Sequence, residues 1–142
     1  MESTQFANNV PQDKQEFIRA FYATTDNRQA LDEYVDFVTE DVDFIMGLKQ
    51  VSSKQAVRQF RQGSWQGIAT RKHVVHQVYT IDDECSQVMI HGTVSWGLEN
   101  GKSVDNVGWA ARMVFASEGS ALKMSKYHVW VDASQLVAAL KA

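Results

Sequence analysis

Four polar residues of this sequence combine the side-chain types that move protons: His73, Arg112, His128 and Asp132. An unperturbed histidine titrates near neutrality, so it can both take and give a proton during a reaction. An aspartate beside the ring can select the tautomer, and an arginine can hold an enolate or carboxylate oxygen by charge. The set predicts acid and base chemistry next to a carbonyl group.

Structural roles compete with that interpretation. A histidine on a strand is more often a satisfied core or rim residue than a catalyst. Arg112 can pair with Asp132 inside the fold, where the pair would orient the structure and carry no chemistry. Asp26, Asp41 and Asp43 fit helix caps or edge charges as well as they fit acids.

Aromatic side chains predict the surface that would bind a substrate. A phenol from Tyr22 or Tyr34 can donate a hydrogen bond to a carbonyl oxygen. Three flat apolar side chains can form walls for a ring-containing substrate: Phe44, Trp96 and Trp130. The alternative for the tryptophans is the core, where most of the four would lie.

Other chemistries lack their motifs. The sequence has no Gly-x-Ser-x-Gly elbow, no His-Glu-x-x-His and no phosphate-binding glycine loop, and Cys85 is its one cysteine. His73 and His76 are three apart on a strand, so they face opposite sides and cannot chelate one metal ion as a pair. We therefore expect no metal site and no cofactor.

Length and charge narrow the function class. We expect residues 1–142 to form one domain, with residues 1–12 flexible. A net charge of −3 without a basic run argues against nucleic acid. No apolar stretch approaches the roughly 18 residues of a membrane span, and residues 1–12 lack the order of a signal peptide. Together with the lone cysteine, these features predict a cytoplasmic protein.

Residue periodicity predicts the elements that position these side chains. Helical stripes predict three N-terminal helices, at about residues 13–24, 31–38 and 53–62, with a short strand at 42–46. From Thr70 the period is two, which predicts long strands at about 71–81, 86–98, 103–117 and 121–132, before a short helix at 134–140. Because long strands twist, we predict an α+β fold in which a curved antiparallel sheet wraps around the three helices and forms a cone with a pocket.

This order of elements resembles the nuclear transport factor 2-like superfamily of cystatin-like α+β cones, and within it SnoaL-like proteins. The resemblance covers nearly the whole chain. Its local signals are residues 17–22, the passage 31–43, the Asn100-Gly101 hairpin and the final strand, 126–132. It implies a pocket at the open end of the cone.

A shorter similarity concerns the scytalone dehydratases. Thr70-Arg71-Lys72-His73 resembles the start of the sheet in that family, which implies that His73 lies in the pocket. The second pocket histidine of that family has no counterpart here, because Trp96 or Gly97 takes its position. Its asparagine falls at Arg112, so the resemblance does not imply the same reaction.

Strand alternation sorts the side chains between the two faces of the sheet. In 86–98 the even positions are apolar and are predicted to face the helices, with His91 outward. In 103–117 apolarity favours the odd positions as the inner face, whereas the resemblance favours the even ones. We take the even positions, and so Arg112, as inward. SnoaL-like and limonene-epoxide-hydrolase-like relatives end the last strand with a pocket aspartate, which implies that Asp132 and His128 also point inward unless a bulge flips one of them.

Two predictions follow from these faces. Inward residues near one end of a cone converge, so His73, Arg112, His128 and Asp132 should lie around one cavity, with Asp132 ionised and paired with Arg112 or His128. The outer face should then carry a large apolar patch, which predicts a homodimer. The residues of that patch are Met89, His91, Trp109, Met113 and Phe115.

Residues and resemblance together indicate a cofactor-independent isomerase, cyclase or dehydratase. It would act by proton transfer on a small apolar carbonyl compound, polyketide-like or terpenoid-like. The alternative is a non-catalytic domain that binds a small hydrophobic ligand or mainly dimerises. Two or more titratable groups within hydrogen-bond reach would favour the enzyme, whereas a dry, wholly apolar cavity would favour the binding domain.

Overall fold

Helices at the beginning of the chain give way to long strands, as the change of period predicts. The computed structural model describes residues 3–142. Its helices are α1 (Gln12–Thr25), α2 (Leu31–Val35), α3 (Lys54–Gly63) and α4 (Ser134–Lys141). Its strands are β1 (Gln5–Phe6), β2 (Val38–Met46), β3 (Lys49–Ser52), β4 (Ile68–Tyr79), β5 (Gln87–Leu98), β6 (Ser103–Glu118) and β7 (Ala121–Val131). No helix within the described range combines the length and apolarity needed to cross a membrane.

All of these strands belong to one sheet, in the order β1-β4-β5-β6-β7-β2-β3. The four longest form an antiparallel meander, β4 to β7, as predicted. β2 adds to it in parallel beside β7, and β3 folds back on β2. The sheet is curved and unclosed, and the helices lie in its concavity, which confirms the predicted α+β cone.

Two local differences separate the observed elements from the predicted ones. Val38 was expected in the second helix but begins β2, where it pairs with Met124 of β7. Residues 49–52 form a strand that the periodicity did not indicate. It pairs with β2 across a turn in which Gly47 adopts a φ of 61°, a conformation that favours glycine.

Strand β1 lies inside the segment that was expected to be flexible. It pairs in parallel with β4, and Thr4 donates from Oγ1 to the carbonyl oxygen of Val75 at 2.7 Å. Flexibility over residues 1–12 stays a prediction, and residues 1 and 2 lie outside the described part of the chain.

An aromatic cluster around Phe21 joins the helices to the sheet. Phe21 is fully buried, and its ring centroid lies between 5.1 and 5.4 Å from four others. These are the rings of Tyr22, Tyr34, Phe37 and Tyr127. Three of the pairs are edge-to-face, an arrangement that aromatic rings favour. Burying a ring of this size stabilises the fold by about 1.5–3 kcal/mol, so the cluster anchors α1 and α2 on β7.

The inner face of β6 is the odd one, so the predicted face of this strand is wrong. Trp109, Ala111 and Met113 are buried, and they stand opposite buried residues of β5. Residues paired across a ladder share a face, so the apolar even face of β5 requires the odd face of β6 to point inward. Arg112 therefore lies on the convex face. Phe115, expected outside, packs edge-to-face on Phe17 of α1.

The inner face of β7 is also the odd one. Tyr127 and Val129 are buried, whereas Trp130 is 46% exposed. His128 stacks on Trp130 with 3.8 Å between ring centroids and stands opposite Arg112. The prediction that His128 and Trp130 point inward is wrong, because the apolar odd positions fill the concave side.

Gly92, in the middle of β5, is a point where the curved sheet leaves no room for a side chain. A Cβ at this position would lie 1.9 Å from the carbonyl oxygen of Val74 on β4. Beside it, the register of β4 against β5 shifts between Val75 and Gln77. The backbone of the bulged strand occupies the space of the missing side chain.

We predict that Gly92→Ala lowers the free energy of unfolding by about 2 kcal/mol or more, because backbone atoms must move to accept the methyl group. Gly108→Ala on β6 is the matched control. A Cβ there meets nothing within 4 Å, so the change should stay within about 0.5 kcal/mol. Urea unfolding of both variants measures the difference, and equal stabilities would contradict the steric argument.

Candidate functional site

A cavity of about 200 Å³ opens between the helices and the concave face of the sheet. Its walls are mostly apolar and come from β4 to β7, with α3 and α4 at the rim. Polar side chains are grouped on one side, where α1 ends and β4 begins. The lining residues used below are Thr25, Tyr34, Arg61, Ser64, Arg71, His73, Val94, Trp96, Trp109, Tyr127 and Val129.

His73 and Asp26 form a hydrogen-bonded pair at this polar side. Asp26 Oδ1 lies 2.6 Å from His73 Nδ1, and Asp26 Oδ2 accepts from the His73 backbone N–H at 2.8 Å. The carboxylate selects the tautomer with the proton on Nδ1, which leaves a lone pair on Nε2. Nε2 has no hydrogen-bond partner among residues 3–142. His73 therefore lines the cavity with its ring fixed by Asp26, an arrangement that a general base requires.

Arg61 of α3 holds the segment that carries Asp26. Its terminal nitrogens donate to the backbone carbonyls of Thr25, Thr24 and Asn27 at 2.9, 3.1 and 2.8 Å. These carbonyls belong to the last turn of α1 and the residues just after it, where a cation is stabilised by the helix dipole. Burial lowers the pKa of Arg61, and the side chain is only 3% exposed. Arg61 thus fastens both sides of Asp26 to α3.

Three buried phenols lie beside the pair. Tyr22 and Tyr127 share a hydrogen bond between their hydroxyls at 3.0 Å, and burial raises the pKa of both. Burial also raises the pKa of Tyr34 to about 12, and the nearby Arg61 and Arg71 partly oppose that shift. Within residues 3–142 the hydroxyl–hydroxyl bond uses Tyr22 and Tyr127 and leaves the Tyr34 hydroxyl without a partner, and Tyr34 lines the cavity. At neutral pH it is a protonated donor next to the cavity.

Arg71 is the second cation of the site. It stands two residues before His73 on β4, so the two side chains share the inner face. One terminal nitrogen donates to the carbonyl of Ser64 at 2.6 Å, and the guanidinium lies 4.4 Å from the ring centroid of Trp65. Burial lowers the pKa of Arg71 to about 10, with a further contribution from Arg61. It remains protonated at neutral pH.

Three of the residues that the sequence indicated line this cavity: His73, Tyr34 and Trp96. Two others lie in the core beside it. Tyr22 is within 5.5 Å of His73, between ring centroids, and Phe44 packs fully buried against Phe60 and Tyr127. Their predicted contact with a substrate stays a prediction.

The other indicated residues lie elsewhere, so the predicted convergence of four polar residues is wrong. Arg112, His128 and Trp130 are on the convex face because the odd positions of β6 and β7 point inward, and Arg112 Nε donates to Gln87 Oε1 at 2.8 Å. Asp132 is exposed and lies two residues before α4, where its Oδ1 accepts from the Ser134 backbone N–H at 2.9 Å. That hydrogen bond lowers the pKa of Asp132. The expected partners of Asp132, Arg112 and His128, do not contact it.

Sequence reasoning missed most of the polar groups of the site. Arg71 was within reach, because alternation from His73 assigns it the same face. Trp109 and Tyr127 follow from apolarity once the odd faces of β6 and β7 are taken inward. Asp26 fitted a cap as well as an acid, and no local signal could decide between them, since its partner is 47 residues away in the chain. Within residues 3–142 no group of three or more His, Cys, Asp or Glu side chains is arranged to hold a metal ion.

A family model for the SnoaL-like domain matches residues 18–120. An NTF2-like protein of unknown function from Burkholderia pseudomallei K96243 has a TM-score of 0.74 at 14% identity, covering 96% of this chain and 99% of its own. A proposed SnoaL-like polyketide cyclase from Jannaschia sp. CCS1 has a TM-score of 0.72 at 14% identity, covering 90% and 91%. A proposed aromatic ring hydroxylase from Novosphingobium aromaticivorans has a TM-score of 0.69 at 16% identity, covering 84% and 90%. At these identities the structures share the fold alone. No curated protein sequence matches the chain.

We predict that the contribution of Tyr34 to stability is lost as the pH rises from about 10 to about 12. Tyrosine in an unfolded chain ionises near pH 10, whereas Tyr34 in the fold ionises near pH 12. In the folded state Tyr34 keeps its proton to a higher pH than in the unfolded chain. Its contribution to the free energy of unfolding is therefore complete below pH 10 and is lost as the pH rises through the folded pKa of about 12. Each such phenol accounts for up to about 1.4 kcal/mol per pH unit.

Urea unfolding at pH 8, 10 and 11 measures this dependence. Tyr34→Phe should show a shallower fall than the wild-type chain, because the substituted ring has no proton to lose. An equal slope for the two proteins would contradict the assignment of the shift to Tyr34.

Proposed function

The chain belongs to the SnoaL-like domain family, and we propose that its cavity transfers a proton next to the carbonyl group of a small ring-containing substrate without a cofactor. The family match confirms the resemblance seen in the sequence. Family and neighbours support a general role in ligand binding or in isomerase or cyclase chemistry. The observation that carries the finer proposal is the hydrogen-bonded pair of His73 and Asp26 at the edge of an apolar cavity.

His73 supplies the base in this proposal. Its Nε2 lone pair takes a proton from the carbon next to the carbonyl group, and Asp26 stabilises the imidazolium that forms. The electron pair of the broken C–H bond forms a carbon–carbon double bond, and the carbonyl electrons move to oxygen. Returning the proton to a different carbon completes an isomerisation, and giving it to a departing hydroxyl completes a dehydration.

Tyr34 supplies the donor that the developing oxygen charge requires. Its hydroxyl is protonated at neutral pH, because burial raises its pKa to about 12. A phenol without a protein partner can hydrogen-bond an enolate oxygen more strongly than the ground-state carbonyl, which lowers the barrier. This role replaces the one that the sequence suggested for Arg112.

The walls and volume of the cavity support a compact cyclic substrate. Trp96, Trp109, Val94 and Val129 present flat or branched apolar surfaces. A volume of about 200 Å³ lies between a cavity of about 150 Å³ that holds one benzene ring and the roughly 300–1,000 Å³ of common ligand pockets. One or two fused rings fit this range.

Hydrogen–deuterium exchange of a probe ketone tests the proposed chemistry directly. We expect the protein to accelerate loss of the α-proton signals of 1-indanone in D2O, followed by NMR. His73→Asn should remove about 100-fold or more of that acceleration, since it removes the base. Asp26→Asn should also slow exchange, because an uncharged amide stabilises the imidazolium of His73 less than a carboxylate does.

His128→Asn is the matched control, because this histidine lies on the convex face. This variant should accelerate exchange of the α-protons of 1-indanone to the same extent as the wild-type chain. Wild-type rates in His73→Asn would refute the proposed base. Binding of 1-indanone without accelerated exchange would favour the non-catalytic ligand-binding domain instead.

A second part of the proposal is a homodimer through the convex face. The patch predicted from the sequence loses Trp109, Met113 and Phe115, which are inside. The structure instead places a row of side chains across the convex face, in which Tyr79 stands opposite Met89, and Met89 opposite Arg112. Tyr79, Met89 and Trp130 are 49%, 40% and 46% exposed. An apolar patch of this kind supports association between protein surfaces.

Light scattering after size-exclusion chromatography tests the dimer. We expect a dimeric mass at micromolar concentration and a shift to the monomer in Trp130→Glu, because a charge inside the interface would lose its water. Val137→Glu on α4 replaces an equally exposed apolar residue, 47% exposed, outside the patch. It should stay dimeric. A monomeric wild-type chain would refute this part of the proposal.

A further inference from the structure

The polar side of the cavity carries more positive than negative charge. Arg61 and Arg71 both line it, and Asp26 is committed to His73 through both carboxylate oxygens. The ion pairs formed within residues 3–142 involve neither arginine. A buried cation without an acidic partner is costly, so its occurrence at a cavity points to a ligand that supplies the missing charge.

The two arginines differ in how many hydrogen bonds each guanidinium donates to the protein. Arg61 donates from both terminal nitrogens to three backbone carbonyls, so it belongs to the framework of the site. Arg71 makes one hydrogen bond to the protein, to the carbonyl of Ser64, and stacks on Trp65. A guanidinium has five N–H groups. Those of Arg71 that remain have no acceptor in the described residues.

The position of Arg71 suits the charged end of an amphipathic ligand. It lines the apolar cavity on one side and, on the other, an open polar groove. Asn27, Arg28, Thr70 and Glu99 contribute to the groove, where Arg28 approaches Glu99 at 3.7 Å. An acid group at Arg71 would therefore meet the polar boundary while an attached ring enters the apolar cavity.

We infer that Arg71 is an anion subsite and that the ligand of this cavity is a small cyclic acid whose carboxylate binds Arg71. The planar guanidinium matches a carboxylate with two parallel hydrogen bonds and holds it more firmly than a point charge would. Stacking on Trp65 and the bond to Ser64 hold the guanidinium plane in place before the ligand arrives.

The same geometry specifies the substrate further, in a step that rests on the proposed function. Residues two apart on a strand are separated by about 7 Å, so the carboxylate at Arg71 and the proton taken by His73 lie at a comparable distance. A substrate with its acid group and its enolisable carbonyl at opposite ends of one ring system spans that distance. An oxo-carboxylic acid is the corresponding chemical class.

A matched pair of probes tests the subsite without requiring turnover. 2-Naphthoate and 2-naphthamide have nearly the same shape but differ in charge, and calorimetry at pH 7.5 measures the binding of each. We expect the wild-type chain to prefer 2-naphthoate by about tenfold or more, since hydrogen bonds to charged groups are the stronger ones. Arg71→Gln should lose that preference, and Arg71→Lys should keep part of it.

Two control variants distinguish Arg71 from the other positive charges that could attract an acid. Arg112→Gln removes an arginine from the convex face and should keep the wild-type preference. His128→Asn removes a histidine from the same convex face and should keep it as well. If the ketone exchange fails while the preference for 2-naphthoate holds, the proposed reaction is refuted and the acid-binding subsite stands.

The subsite would be refuted by three results. These are no binding of 2-naphthoate to the wild-type chain, equal affinity for the two probes, or a preference that survives in Arg71→Gln. Circular dichroism confirms that each variant is folded. The first two results need no variant, so the inference remains testable even if Arg71→Gln does not fold.

Discussion

The geometry of the site depends on one contact, between the end of α1 and the start of β4. Asp26 bonds the backbone N–H and the ring of His73 with its two oxygens, at 2.8 and 2.6 Å. The hydrogen bond to the backbone fixes where the end of α1 meets β4. The hydrogen bond to the ring fixes the orientation of the imidazole. Arg61 then holds the carbonyls on both sides of Asp26 against α3. Helix, sheet and imidazole are thereby coupled, and moving any one of them would disturb the proposed base.

This arrangement has a cost that the rest of the fold must offset. Within residues 3–142, buried nitrogens of Arg61, Trp65 and Trp109 have no hydrogen-bond partner, and an unsatisfied buried donor destabilises a fold by about 1–3 kcal/mol. All three belong to side chains at or beside the cavity, and two of them, Trp65 and Trp109, also belong to the hydrophobic core. Polar groups that are expensive for stability are thus concentrated where a ligand would be recognised. Natural proteins depart from efficient packing mainly at such places.

The fold was largely predictable from the sequence, and the site only in part. Period-two alternation and the Asn100-Gly101 hairpin predicted the four long strands, because these signals are local. The inner face of β6 was also in the sequence, since Trp109, Ala111 and Met113 form the more apolar set, but the resemblance favoured the opposite face. His73, Tyr34 and Trp96 were found because each sits in a strongly patterned element. Asp26 could not be found in this way, because an aspartate after a helix looks like a cap until the strand that it bonds is in place.

The division of the cavity between polar and apolar elements explains how one fold can either bind or react. β5, β6 and β7 contribute Val94, Trp96, Trp109 and Val129, which hold a ring but cannot move a proton. The proposed base and the proposed anion subsite come from two adjacent inward positions of β4, His73 and Arg71, and Asp26 at the helix end beside them orients the base. A protein with the same walls and apolar residues at those two positions would retain a binding cavity and lose both the proposed base and the proposed anion subsite. The chemistry proposed for this chain therefore depends on the inward alternation of β4, on the carboxylate that the end of α1 brings to it, and on the phenol of Tyr34.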